Sequence, residues 1–477
     1  MSKAGIDAIS FYVPPLYVPM QDLAEKRDIP YEKLRRGLGL EKMAIPDINE
    51  DAASFAANAL LSLIRDNEID PTQIGRIYLG TESAVDGSKP TATYAIEVVE
   101  DILSAQWGDR CFKNCDVVDL TFACVGAVDA MHNCLDWVEN GVNRKAAVIA
   151  SDLSKYELHS TGEYTQGAGA VAVLLTKDPS LIAMSSNWGV ATKSVGDFFK
   201  PRRYFNKQQL AKELLQQLNG NYSDEELNKL ITSTDSGFWS EKNEQVELFK
   251  EEPVFDGQYS NQCYSDRVTE ALEHFNEQST TNFLHDWDYL VFHLPYAYHG
   301  RRIIFTNWLE WIEADGRMDE LVQEIGPQSD DRKTWERLAS KSAMYREFVN
   351  SRIEKGERAS SLIGNMYTAS IFMALLSLLR SSYNSKEELS GKKVGFIAYG
   401  SGSKSKVFEG TVQKKWKEKI ATVDIFEILD NRTAIDVELY EKIHSRVQQT
   451  PVYENAGVAL SEIETDNENT KGLRKYS

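Results

Sequence analysis

The chain has 477 residues, 42% of them hydrophobic, and a formal net charge of −19. This length exceeds what a single core serves, so at least two core units are expected, and the acidic balance argues against nucleic-acid or anionic-membrane partners. No apolar run approaches a membrane span and no signal-peptide pattern opens the chain; five cysteines without disulfide-framework spacing predict a protein of the reducing cytoplasm.

In chain order, Ala52 to Arg65 reads as an amphipathic helix, Arg76 to Leu79 as a strand, and Cys115 to Met131 as strand, tight bend and small-residue helix. Ala146 to Ser151 and Val171 to Leu175 are short, wholly apolar runs of buried-strand type. From Asn206 to Glu251 the composition turns polar, with helical patches at Gln208 to Leu218 and Asp224 to Ile231; this is read as a surface excursion, helical hairpin or lid. Strand and helix then return at Tyr289 to Phe292, Ser360 to Arg380 and Val394 to Tyr399, and the tail after Glu464 is polar and peripheral. The alternation predicts an α/β fold of two layered halves with a helical insert. The expected division is 1–200, 201–284 as insert and substrate-site cap, and 285–477.

Cys124 stands at the bend before the predicted helix, where unpaired backbone N–H groups and the helix dipole favour thiolate, the nucleophilic form. A buried structural cysteine is the competing reading. Cys111-x3-Cys115 lacks a second Cys/His pair at zinc spacing and is read as structural, so no metal site is expected. Glu82 follows the strand ending at Leu79, His293 follows Phe292, and Gly400-Ser401-Gly402 makes a glycine-rich turn after a third strand. Strand ends are where site groups are presented, and glycine turns let backbone N–H groups approach a ligand. Gly167-Ala-Gly169-Ala-Val-Ala172 matches a dinucleotide fingerprint only formally, because its glycines precede a strand-like run and do not open a helix; no NAD is expected.

The ordered set Glu82, Cys124, Tyr164-Thr-Gln-Gly-Ala-Gly169, Phe292-His293-x-Pro295, Gly364-Asn365-Met-Tyr367-Thr368 and Tyr399-Gly-Ser-Gly402 resembles the 3-hydroxy-3-methylglutaryl-CoA synthase family of the thiolase-fold superfamily. The likeness runs over nearly the whole chain and includes Asp197-Phe-Phe-Lys-Pro201 and Pro253-Val-Phe-Asp-Gly-Gln-Tyr-Ser260.

The resemblance implies that Cys124 takes an acetyl group from acetyl-CoA. Glu82 would then serve as general acid/base while the acetyl carbon attacks acetoacetyl-CoA, and His293 would position the acetoacetyl group. Hydrolysis would release HMG-CoA, with backbone N–H groups near Cys124 and at Gly400 and Gly402 as oxyanion donors. Asp152, Tyr156, Thr165, Ser260, Asn365, Tyr367 and Ser401 are similar to family positions lining the substrate and CoA site. The resemblance also implies a homodimer and no cofactor beyond the CoA thioester substrates.

Two departures stand out. Tyr298 occupies the position of a family lysine that meets the CoA phosphates, leaving Arg301 and Arg302 as the nearest cations, and residues 205–251 make a link far longer than the family's usual one. Two other readings stay open: condensation on a carrier-protein-bound thioester, as in polyketide β-branching, and a non-catalytic thiolase-fold partner subunit.

Overall fold

A computed structural model of the chain describes residues 3–218, 223–232, 245–328, 331–454 and 456–477. The first half contains strand β1 (Ala4–Tyr12), helix α1 (Ala52–Asp66), β2 (Ile74–Gly80), α2 (Thr91–Trp107), β3 (Asp116–Leu120) and α3 (Gly126–Glu139), followed by β4 (Lys145–Ser154), β5 (Gly167–Lys177) and β6 (Ile182–Thr192). The second half contains α4 (Gly257–Ser279), β7 (Tyr289–Phe292), α5 (His299–Ile303), α6 (Glu354–Ile363), α7 (Ser370–Asn384), β8 (Lys393–Gly400) and β9 (Lys404–Val412).

These strands form one nine-stranded mixed sheet in the order β7-β8-β9-β6-β1-β5-β4-β2-β3. Two blocks of parallel strands, β4-β2-β3 and β7-β8, lie toward opposite ends of the sheet, as repeated β–α alternation requires. Near the middle of the sheet, β1 and β6 pair through Gly5–Ala183 and Ile6–Ile182, while β6 runs along β9 of the second half from Thr192–Lys404 to Ile182–Val412.

The apolar runs predicted as strands are buried on both faces, which is the pattern helix-covered parallel strands demand. In β4, Ala147 and Ile149 enter a cluster with α1 and α2, while Ala146, Val148 and Ala150 enter another with α3 and the second half. The period of two thus distributes one strand between two cores. Helix α1 is capped by Asp51, whose carboxylate accepts from Ala53 N and Ser54 N while Ser54 Oγ accepts from Asp51 N in return.

The helix expected from Ser360 to Arg380 is broken. It ends at Ile363, turns through a short 3-10 segment at Tyr367–Ala369, and restarts as α7. Gly364 is the cause: it adopts φ +90, and a Cβ there would lie 1.9 Å from the Gln166 carbonyl oxygen. The break carries Asn365, Tyr367 and Thr368.

By its internal contacts the chain divides into two compact units, 1–197 with 256–477, and 198–255. The smaller unit holds a two-stranded ribbon (Arg202–Asn206 with Gln245–Phe249) and helices Lys207–Gln217 and Asp224–Thr232, close to the helical patches expected there. Part of the expected insert, 219–222 and 233–244, falls outside the described residues. Helix α4, grouped with the insert in the sequence-based division at 201–284, packs on β6 and β9 of the larger unit.

Candidate active site

The first half presents Cys124 at a sharp turn. Strand β3 ends at Leu120, Ala123 takes φ +38, and Cys124 follows two residues before α3 begins. A non-glycine residue in the left-handed region costs energy and collects at functional sites. The turn is held tightly: a Cβ on Gly80 would lie 2.2 Å from the Ala127 amide nitrogen, so β2 and α3 meet only because residue 80 is glycine.

Cys124 is buried, at 8% exposure, and its Sγ donates to Glu82 Oε1 at 3.0 Å. The expectation that free helix N–H groups face the thiol needs correction. Val125 N donates to Phe122 O, Ala127 N to Thr368 Oγ1 at 2.8 Å, and Val128 N to Val125 O. The first turn is already satisfied, and the thiol's partner is the carboxylate.

Glu82 owes its place to Asp152. This wholly buried carboxylate accepts from Glu82 N at 2.9 Å, Thr81 Oγ1 at 3.0 Å and Thr368 N at 3.1 Å. Asp152 therefore acts as a brace between β4, the Glu82 loop and the 365–368 break. Asn365 is a second brace: its Oδ1 accepts from Tyr367 N, and its own amide nitrogen donates to Thr165 O. Tyr156 is buried, and burial together with the charges of Cys124 and Glu82 pushes its phenol well above the ordinary value. Tyr367 and Thr165 stand near its hydroxyl and oppose that rise, so these three residues form a polar wall beside the thiol.

His293 continues β7 by donating its backbone N–H to Ile397 O. Burial lowers its imidazole to about 3, so the ring is neutral at physiological pH. The ring hydrogen-bonds to the Tyr367 main chain, while Nδ1 meets no partner among the described residues. Tyr264 on α4 donates to His293 O at 2.8 Å and stacks on Tyr399 with ring centroids 4.3 Å apart. Burial, and then the charge of Cys124, raise the Tyr264 phenol well above its ordinary value, which places it on the thiol's side. Tyr264 escaped the sequence reading. Its only signal was its position four residues after Ser260 in a largely polar helix.

The glycine-rich turn lies against the Cys124 loop, where a Cβ on Gly400 would come 2.8 Å from Phe122 O and 3.0 Å from Val125 N. Gly402 needs correction as an oxyanion donor, because its N–H donates to Asp197 Oδ1 at 2.8 Å. Asp197 also accepts from Tyr399 OH and from Ser260 Oγ, which ties Ser260 to the turn. Ser401 bonds to the Tyr399 hydroxyl.

The arginines diverge. Arg301 forks onto the buried Glu357 and stacks over Tyr298 at 3.9 Å, so its charge is already matched. Arg302 is exposed; it donates to Gly37 O and to Tyr296 OH, neither of them anionic.

Comparison with known proteins finds relatives over most of the chain. Residues 1–180 match the family described as hydroxymethylglutaryl-coenzyme A synthase N terminal, and residues 242–470 match its C-terminal counterpart. The hydroxymethylglutaryl-CoA synthase of Haloferax volcanii is 29% identical over 459 residues, covering 93% of this chain and 92% of that protein. A structure of MvaS in complex with 3-hydroxy-3-methylglutaryl coenzyme A is 26% identical with a TM-score of 0.75, covering 100% of this chain and 99% of that one. A crystal structure of an HMG-CoA synthase complexed with CoA gives 26% identity and a TM-score of 0.72, with the same coverage. The α/β architecture is thus the thiolase-like fold, and the chain belongs to the hydroxymethylglutaryl-CoA synthase family.

Proposed function

We propose that this enzyme condenses acetyl-CoA with acetoacetyl-CoA and water to give 3-hydroxy-3-methylglutaryl-CoA and CoA, the mevalonate-pathway reaction, through an acetyl group carried on Cys124. The Cys124 Sγ to Glu82 Oε1 hydrogen bond of 3.0 Å carries the reading. The carboxylate takes the thiol proton as sulfur attacks the acetyl carbonyl, and CoA leaves as its thiol. Glu82 next removes a proton from the acetyl methyl, so that this carbon attacks the acetoacetyl ketone, and returns a proton to the resulting alkoxide. Neutral His293 orients that ketone by hydrogen bonding. Water then cleaves the Cys124 thioester.

Asp152, Asn365, Thr165 and Tyr367 hold Glu82 and Tyr156 in register, which is how positioning lowers a barrier without added charge. Backbone N–H groups near Cys124 and Gly400 remain the oxyanion candidates. The bound molecules of the two 26%-identical structures support free CoA thioesters as substrates. The family likeness supports a cytoplasmic homodimer, and among the described residues no helix is long and apolar enough to cross a membrane.

The test is to incubate the protein with acetyl-CoA and map the acetyl group by peptide mass, then add acetoacetyl-CoA or an acetoacetyl carrier protein. Acetyl on Cys124 and HMG-CoA as product are expected. Label on another cysteine, or product only from the carrier protein, rejects the reading.

A further inference from the structure

The chain folds back on itself just after β7, and the return brings a second histidine beside His293. His293 continues the strand, the backbone turns through Pro295, and His299 opens α5 with its N–H donating to Tyr296 O. A Cβ on Gly300 would lie 2.6 Å from the Phe292 ring, so α5 packs against the strand it has just left. Both imidazoles then meet one ring, Tyr264 of α4. The His293 centroid lies 6.1 Å from it and the His299 centroid 4.9 Å. Tyr399 stacks on the same ring, and Tyr296 meets His299 edge-on at 4.6 Å.

The two histidines are buried, at 2% exposure for His293 and 3% for His299. Burial lowers both, helped at His299 by the charges of His293 and Arg302, so each ring is neutral and carries one N–H and one lone pair. His293 Nδ1 and both ring nitrogens of His299 meet no partner among the described residues. Buried polar atoms are almost always paired, and an unmet one costs stability. A histidine that only fills space spends its ring on a nearby carbonyl, as His444 Nε2 does on Tyr156 O at 2.8 Å. His299 does not, although its stacking contacts would serve a phenyl ring equally well. Its nitrogens face the same Tyr264 chamber as the orphaned Nδ1 of His293.

Which nitrogen of a neutral imidazole holds the proton is set by what the other nitrogen meets. A ketone oxygen only accepts, so His293 can orient it only with the nitrogen that bears the proton. That nitrogen must therefore be fixed. We propose that His299 is a positioning residue for His293: its N–H donates to one bound water, the water donates to His293 Nδ1, and the His293 proton is thereby held on Nε2 for the acetoacetyl oxygen. A water is required because no direct bond joins the two rings. The inference deepens the proposed function and rests on its assignment of the acetoacetyl group to His293.

The experiment measures acetoacetyl-CoA binding by calorimetry in Cys124→Ala protein, where no acetyl group can form on residue 124. Adding His299→Phe keeps the ring contacts and removes only the nitrogens; Kd should rise about fivefold, the worth of one net hydrogen bond. His299→Gln or His299→Asn, which keep an N–H donor, should bring Kd back toward the Cys124→Ala value. In a His293→Ala background His299→Phe should add nothing, because its effect passes through His293. An unchanged Kd in His299→Phe, or a further rise on top of His293→Ala, overturns the proposal. Should His299→Phe fail to fold, His299→Leu removes the same nitrogens and is read in the same way. With Cys124 restored, His299→Phe should accept acetyl from acetyl-CoA at the wild-type rate, whereas a merely structural role would slow this step as well. If the binding results hold but acetyl-CoA never labels Cys124, the His299 inference stands and the catalytic reading fails.

Discussion

At the Cys124 corner, Cys124 and Glu82 stand 3.0 Å apart, with Asp152, Asn365 and Thr368 tying each supporting loop to its neighbour. Along residues 296–302 the charged groups behave otherwise: Arg301 is neutralised by Glu357, and Arg302 reaches out to a backbone carbonyl and a phenol. The contrast separates two uses of polar groups. The corner uses buried partners to fix a thiol against a carboxylate, whereas the segment keeps one cation matched by a carboxylate and gives the other only neutral partners.

The sharpest way to break this contrast is at its centre. Cys124→Ala should abolish both acetyl labelling and condensation, because no other thiol sits beside Glu82. Full activity in this variant would remove the basis of the catalytic assignment. Next in size is Glu82→Ala. Its condensation rate should fall by roughly 10²–10⁴-fold, the loss typical of a general acid/base. Cys124 would keep its place at the turn but lose the carboxylate that takes its proton, so acetyl-enzyme should still form, more slowly, and single-turnover labelling against steady-state condensation measures the split.

The corner was legible before the structure because it is built from short motifs at strand ends. Glu82 and His293 each follow an apolar run that became a strand within two residues of its expected ends, and Cys124 follows the strand expected to open the stretch from Cys115 to Met131. Long-range bracing was not legible. Asp152 serves Glu82 across 70 residues and Thr368 across 216, and no local pattern encodes that. The break at Gly364 was hidden for the same reason, since it is imposed by Gln166 O from another strand's loop. Arg301 and Arg302, adjacent in sequence, could not be told apart until Glu357 was seen to claim one of them.

That difference gives the third prediction. Arg301→Ala leaves Glu357 buried with its charge uncompensated, and a broken buried pair costs about 3 kcal/mol. Its melting temperature should drop by several degrees, with KM for acetyl-CoA little changed. Arg302→Ala should do the reverse: an unchanged melt and a KM raised about threefold to tenfold at constant kcat, the sign of lost ground-state binding. If Arg301→Ala alone raised KM, the matched and available cations would have to exchange roles.

A fourth test uses acid. Burial holds His293 at about 3 instead of 6.5, and pushes the neighbouring His299 well below its ordinary value. Between these limits the unfolded chain binds a proton that the folded chain refuses, so stability falls as pH drops through 6.5 toward 3. For His293 alone this amounts to about 2 kcal/mol between pH 7 and pH 5. His293→Gln removes the titration, so its denaturation midpoint should decline less over that interval than that of the wild type. Parallel declines would show that the imidazole is not held neutral by burial.

The smallest effect is expected at Tyr264, which belongs to the corner by contact and to neither motif by sequence. Tyr264→Phe keeps the ring stacked on Tyr399 but removes the donor to His293 O. One net hydrogen bond is worth about 1 kcal/mol, or roughly fivefold in an equilibrium constant. If the bond serves to aim His293 at the acetoacetyl ketone, the loss falls on kcat/KM for acetoacetyl-CoA, and acetylation of Cys124 proceeds at the wild-type rate. If it serves only to satisfy a buried carbonyl, the variant melts lower and both half-reactions keep their rates. Measuring the two half-reactions beside the melt therefore assigns Tyr264 either to the reacting corner or to the scaffold behind it.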